Sequence, residues 1–251
     1  MKWRRFRFAI AGGIAFVIGL VVYLPASLVA HWTTDGTPVQ LQGVSGTLLD
    51  GQAAYVSLPD GALDNLQWQL APAALLLGRL SVSVRTDTDL GHLSGNVDRS
   101  LFGGNTIRHL HGEATIGWAA DLAGYTFVPL SGRIGLDLSQ VSFDDQLKVS
   151  ALDGQVQLTN SRWELLNPPL TLGRFQAQVT HTDDGLAAEI VDSHGPLALT
   201  GQVRLVGQRR YDLNVRLRAR AGADERLKKI LGQLGRPDNE GWYRVREQGR
   251  L

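Results

Sequence analysis

The residue types able to do chemistry are few in this sequence, and their spacing is poor. His109 and His111 stand two apart in an alternating stretch, which on a strand puts both on one face, and His92 lies nearby in sequence. A metal centre would need a carboxylate and a third ligand at matching spacing, and the pattern supplies neither, so surface histidines are expected. Asp144-Asp145 and Asp183-Asp184 look like paired carboxylates suited to acid/base work. Asp184-Gly185, between a polar and an apolar run, is instead a hairpin-turn signal, and turn chemistry accounts for both pairs. The chain has no phosphate-binding Gly loop with Lys, no Gly-x-Ser-x-Gly elbow and no His-Glu-x-x-His. It has no cysteine, which removes disulfides and thiol-based metal or redox chemistry. The sequence therefore predicts no enzyme, no catalytic or metal residue and no cofactor.

The basic series Arg204, Arg209, Arg210, Arg216, Arg218 and Arg220 raises nucleic acid as a partner. The Leu and Val between these arginines fit a buried strand face better than a base-stacking platform, so no nucleic-acid partner is expected. Charge is divided along the chain. Residues 8–203 hold 8 Lys/Arg against 18 Asp/Glu, whereas residues 204–251 hold 13 against 6, beneath a net charge of +1. A basic end of this kind marks a membrane surface, an acidic partner, or an exposed strand face studded with Arg.

The elements that would position these groups are mainly strands. Tyr211 to Ala219 alternates strictly between apolar and polar residues, and Leu66–Leu70, Leu80–Val84, Gln155–Leu158 and Phe175–Val179 do the same. A period of two is that of a strand with one face on a core and one in water, as in antiparallel sheets. A five-residue pattern of Leu, a small or polar residue, Gly, a polar residue and Ala, Val or Ile recurs six times, with its glycine at Gly51, Gly95, Gly112, Gly132, Gly154 and Gly201. Those glycines are expected where strands start or turn. Two short helices are predicted. One opens at Pro72 and is closed by Gly78. The other is capped by Asp224, carries an apolar stripe of Leu227, Ile230, Leu231 and Leu234, and ends at Gly235 and Pro237. Such a stripe packs as a lid on its own sheet or binds a partner helix-wise.

Residues 8–30 run without a charge, long enough to cross a hydrocarbon core of about 20 residues. Phe8, Ile14, Phe16, Ile18, Leu20, Val22 and Leu24 are its large apolar members. Lys2, Arg4, Arg5 and Arg7 precede it, which by the positive-inside rule leaves Met1 in the cytoplasm. A cleavable signal peptide shares this signature. The run is longer than a signal core, however, and Leu28 spoils the small-x-small site ending at Ala30, so a retained anchor is the preferred reading. The expected division is a cytoplasmic basic tail over 1–7, a transmembrane helix over 8–30 and a periplasmic β-rich domain over 31–251, in the inner membrane of a two-membrane bacterium.

Three stretches give the chain a family likeness. The first is Val44-Ser45-Gly46-Thr47-Leu48 followed by Gly51-Gln52-Ala53, shortly after the apolar run. The second, Leu66-Gln67-Trp68-Gln69-Leu70-Ala71-Pro72, continues to Gly78-Arg79-Leu80. The third is Leu234-Gly235-Arg236-Pro237-Asp238, then Gly241-Trp242-Tyr243-Arg244-Val245, closing on Gly249-Arg250-Leu251. In this order they resemble protein N of the bacterial type II secretion system, with Leu49 where the family often has Trp. The resemblance implies a bitopic inner-membrane component without enzymatic activity, whose periplasmic part lies near the secretin and other components of a machine that exports folded proteins. The sequence is also similar in style to AsmA-like proteins, which implies a long curved antiparallel sheet, a β-taco or sandwich-like fold with one or two short helices. That likeness brings a second function, an AsmA-like lipid-handling module with phospholipid in an apolar groove.

Overall fold

The computed structural model describes residues 23–28, 39–58, 61–75, 77–100, 103–122, 127–144, 149–206 and 210–250. Lys2, Arg4, Arg5, Arg7, Phe8, Ile14, Phe16, Ile18, Leu20 and Val22 lie outside them, so the basic tail and nearly all of the expected anchor do too. No helix among the described residues is long and apolar enough to cross a membrane. Leu24, at the end of the apolar run, is described: its carbonyl accepts a hydrogen bond from the Leu48 N–H at 2.9 Å. Beside it Pro25 forms an isolated antiparallel bridge with Thr47, and Ala26 is 2% exposed.

The described residues form one open antiparallel sheet of 14 strands. In chain order these are β1 (Gln40–Gln42), β2 (Ser45–Gly46), β3 (Asp50–Leu58), β4 (Gly61–Leu70), β5 (Arg79–Thr88), β6 (Gly91–Ser100) and β7 (Asn105–Thr115). They continue as β8 (Leu130–Phe143), β9 (Val149–Trp163), β10 (Leu170–Thr182), β11 (Gly185–His194), β12 (Leu197–Val206), β13 (Arg210–Ala219) and β14 (Tyr243–Arg250). From β3 onward each strand pairs with the next in sequence, β1 and β2 both pair with β3, and the path ends at β14. Most steps are hairpins or short connections, which follows from the period-two pattern broken by turn residues, while β7 to β8 and β13 to β14 are joined through helices. The hairpin at Asp183-Asp184 is one such turn: Thr182 pairs with Gly185, and the Thr182 hydroxyl donates to the Gly185 carbonyl at 3.2 Å.

Among the described residues, three short helices interrupt the meander of strands: α1 (Pro72–Leu75), α2 (Ile116–Leu122) and α3 (Glu225–Gly232). The first and third lie where Pro72 and Asp224 place them, and Gly78 closes α1 at a φ of 68°, where a Cβ would strain the backbone. The middle helix is not expected from the sequence. It starts at Thr115, whose hydroxyl accepts the Trp118 N–H at 3.3 Å, an N-cap followed by too short a run to show a helical period.

The register sorts the side chains onto two faces. On the first, Trp68 stands beside Val84, Val82 beside Val97, Ile107 beside Val141, Leu136 beside Val156, Ala177 beside Ile190, and Leu199 beside Leu217. The second carries Gln69 with Ser83, His111 with Asp137, Gln155 with Gln178, and Gln202 with Asn214. One apolar face thus runs the width of the sheet.

The expectation that the recurring glycines mark strand starts holds only near Gly51 and Gly132. Gly95, Gly112, Gly154 and Gly201 are internal to β6, β7, β9 and β12. They stand on the apolar face between large neighbours: Gly112 between Leu93 and Leu136, Gly154 between Leu138 and Val179, Gly201 between Ile190 and Val215. At Gly201, φ is 129° and a Cβ would sit 2.3 Å from the Asn214 carbonyl oxygen. The missing side chain lets the adjoining strands close up, which is the packing use of a strand glycine.

The core is concentrated at the C-terminal end. Leu170, Phe175, Leu197, Ala223, Leu227 and Leu231 form it, with Leu158, Trp163, Leu199, Leu217 and Tyr243 packed around them. The lid is α3, which explains why the same alternation that stays half-exposed elsewhere is buried here.

Candidate functional site

His92 and His111 line one open depression on the wet face together with Glu113 and Asp137, while His109 lines a separate one. His111 reaches Asp137 through Nδ1 at 2.9 Å across β7 and β8 on the wet face, and His109 occupies an exposed, positive-φ bulge on β7. His92 is exposed opposite Glu113. No group of three or more metal-binding side chains occurs among the described residues. Asp98 is the one buried carboxylate among the described residues, 8% exposed. Burial pushes its pKa up, but hydrogen bonds from Ser81 and Arg108 and the charges of Arg108 and Arg79 outweigh this and hold it below the ordinary value of 3.8. The Arg108 Nε–H donates to Asp98 at 2.7 Å. This ion pair fastens β6 to β7 and lies in the lining of an open depression shared with Arg79, Thr106 and Gln140.

The third family stretch builds the C-terminal edge of the sheet. After α3, Gly235 and Pro237 lead to Asp238, whose Oδ1 accepts the N–H of Glu240 at 3.0 Å and of Trp242 at 2.9 Å. The Asp238 N–H donates in turn to the Trp242 carbonyl at 2.9 Å, and Gly241 makes the turn with a φ of 82°. This loop sets the direction in which Tyr243 starts β14. Tyr243 pairs with Leu217 and packs on the core, while Gly249 lies opposite Tyr211, whose ring would stand 2.6 Å from any Cβ there. The Tyr211 hydroxyl donates to Glu247 at 3.0 Å, and that bond, with minor help from desolvation and the Glu247 charge, raises its pKa.

The other family positions do the same work at the opposite end of the sheet. Gly51 sits under the Trp68 ring, where a Cβ would come within 2.4 Å, and the Trp68 indole N–H donates to the Leu48 carbonyl at 3.2 Å. Gly46 lies in β2, and Pro72 opens α1 ahead of Gly78. The family residues are thus positions of turn and close packing, which fasten the two ends of the sheet.

Of the α3 stripe, Leu227 and Leu231 are 3% and 4% exposed and are spent in the chain's own core, with Ile230 packed against it. Leu234, past the end of the helix, is 49% exposed. Asp224 caps α3 by accepting the Arg226 N–H at 2.8 Å, and the Arg226 side chain returns to the same carboxylate, lowering its pKa. Sequence reading missed two features: the arginines that gather across β13 and β14, because their register was not visible, and the niche beneath α2, lined by Leu93, Ala114, Trp118, Ile134 and Leu136.

Residues 37–246 match the family of type II secretion system (T2SS), protein N. Among curated proteins, the chain is 28% identical to type II secretion system protein N of Aeromonas hydrophila, over 95% of each chain. It is 24% identical to the protein of that name in Vibrio cholerae, over 97% of this chain and 99% of the other. Against the Klebsiella pneumoniae protein the identity is 28%, over 93% of this chain and 91% of the other. No solved structure matches. With the family match spanning most of its length and with the sheet ends built on the family's glycines, the chain belongs to the type II secretion system protein N family.

Proposed function

We propose that the chain is a non-enzymatic scaffold of the type II secretion machine, held in the inner membrane by residues 8–30, with residues 1–7 in the cytoplasm and residues 31–251 in the periplasm. In this reading the sheet meets the secretin or another inner-membrane component along its β14 edge. One observation carries it: the path of strands ends at β14, which pairs on one side with β13 over Tyr243–Arg250 and has no described partner on the other. An end strand leaves alternate backbone donors and acceptors unpaired, which is a ready surface for another chain. The C-terminal core and the Asp238 turn hold that edge in place.

The test is a photo-cross-linking residue placed at Gln248 in cells that are secreting. Capture of the secretin or another component of the machine is the expected outcome. Absence of any such product, from an otherwise functional chain, would remove the proposal. The anchor is tested separately: a reporter active only in the periplasm, fused after Leu251, should be active while the protein stays in membranes through an alkaline wash. Release of a chain shortened by about 30 residues would point to a signal peptide instead.

A lipid-handling role is a second reading, favoured by the breadth of the apolar face. Across β5 to β8, Val82, Val84, Ile107, Leu110, Leu138 and Val141 are only half-buried, and Val97 is 36% exposed. Large exposed apolar surfaces usually mark a ligand or partner. Phospholipid co-purifying in stoichiometric amount, and depleted by polar substitutions at Val84 and Leu110, would favour this reading over the scaffold.

A further inference from the structure

The basic C-terminal segment is not spread evenly. On the wet face at the last two strands, Arg216 stands directly opposite Arg244, and Arg246 stands opposite Asn214 one pair further along. All three arginines are exposed. Like charges directly opposed across an antiparallel pair repel. Neither Arg244 nor Arg246 has a hydrogen bond or ion pair among the described residues, although Arg108, Arg133 and Arg226 elsewhere are each matched with a carboxylate. Arg216 and Arg218 are instead braced on the Trp242 ring, 5.4 and 4.5 Å from its centroid, and Arg218 also donates to the Glu240 carbonyl at 3.2 Å. The result is a shallow depression lined by Thr200, Gln202, Asn214, Arg216, Arg244 and Arg246, with Glu189 the one carboxylate against three arginines, beside a strand whose outer edge is paired by no described strand.

Two requirements therefore coincide on β14. Its free edge needs backbone donors and acceptors, and its wet face needs negative charge; on its other face Tyr243 and Val245 continue the apolar side of the sheet. We infer that β14 receives an extended acidic segment of a partner protein as an additional strand, with Asp or Glu at alternate positions facing Arg244 and Arg246 and apolar or small residues between them. Anionic headgroups or nucleic-acid phosphates would answer the charge but leave the backbone edge unpaired, whereas an acidic strand answers both. The opposite end of the sheet shows the contrast: β1 is three residues long, Gln-Leu-Gln, and carries no charge. The inference rests on the scaffold reading and specifies the partner's chemistry.

The probe is a blocked synthetic peptide alternating valine and glutamate, as long as β14, added to the full-length chain in zwitterionic micelles. Binding is read by the anisotropy of a dye attached to the peptide. The peptide should bind and weaken with added salt, and methylation of its alternate backbone nitrogens on one edge should abolish binding. The double variant Arg244→Glu, Arg246→Glu should lose about tenfold or more in affinity for it and gain affinity for the alternating valine–lysine peptide, which also shows that the variant is folded. Unchanged binding of the methylated peptide, equal binding to the double variant, or binding of anionic-lipid micelles with none of the peptide would each overturn the inference. If the cross-links from Gln248 to a secretion component persist while the peptide fails, the acidic strand falls and the scaffold stands. If both fail, the scaffold reading falls with it.

Discussion

The two halves of the sheet obey the same alternation and end with different packing. In β9 to β14 the end of the apolar face beneath α3 is closed, with Phe175, Leu197, Leu227 and Leu231 at most 7% exposed and Val215 equally buried beside it, while Val156, Val179, Ile190 and Val203 farther from the helix stay half-buried. In β5 to β8 the lid is the smaller α2, which packs on β7 and β8 and reaches β4, and most of the apolar face stays half-exposed. Strand pattern alone therefore does not make a core. Burial needs a second layer, and in this chain the amphipathic helix with a capped start supplies it at one end only. The packed half can hold a strand edge rigidly, and the half-covered one has apolar area to spare.

The largest effect should come from placing a charge in the packed half. Val215→Asp puts an unpartnered carboxylate at a site 7% exposed and should cost several kcal/mol, about 4 or more, in a thermal or urea melt of the full chain. Val97→Asp makes the same change on the same face at 36% exposure and should cost no more than about 1 kcal/mol. Equal costs at the two sites would break the comparison. Next comes removal of the lid's contacts. Leu227→Ala or Leu231→Ala should cost about 2–4 kcal/mol, because each leaves a cavity under α3.

Backbone packing gives a smaller contrast. Gly201→Ala adds a Cβ 2.3 Å from the Asn214 carbonyl oxygen at a φ of 129° and should cost about 1–3 kcal/mol. Gly95→Ala comes closest to the Leu110 Cδ1, at 3.2 Å, with the Leu110 Cα at 3.4 Å and the Arg108 carbonyl oxygen at 3.7 Å in ordinary contact, and a small shift of that side chain should keep the cost below about 1 kcal/mol. Acid sensitivity sharpens the picture from the open half. The Asp98 carboxyl has a folded pKa below its ordinary 3.8, so the stability it contributes is complete above that value and is lost as pH falls through the folded pKa. The advantage of the parent chain over Asp98→Asn should be constant near neutral pH and disappear only below about pH 4. The smallest effect should be Arg216→Asp, within about 0.5 kcal/mol, since the side chain is exposed and faces Arg244.

Much of this was legible in the sequence. The run from Tyr211 to Ala219 lies within β13 with Val215 inward, and Pro72, Gly78 and Asp224 bound helices where their backbone preferences require. The ordered glycine, tryptophan and proline positions carried the family. The rest depended on partners distant in sequence. That Arg216 would face Arg244 follows from the register of β13 on β14, which 27 intervening residues with a helix between them conceal. That Gly112 and Gly154 would lie inside strands rather than at their starts depends on the large residues beside them, which local sequence does not name. The N-cap at Thr115 was readable, but α2 is too short for its period to stand out.

Hydrogen exchange of the full-length chain, resolved by residue, tests the central claim, that a packed C-terminal half presents a free edge. The slowest amides should lie in β9 to β13 and α3, those of β5 to β8 should exchange faster, and along β14 slow amides bonded to β13 should alternate with fast ones that have no partner. Uniform protection across the sheet, or β14 amides slow at every position in the isolated chain, would contradict it.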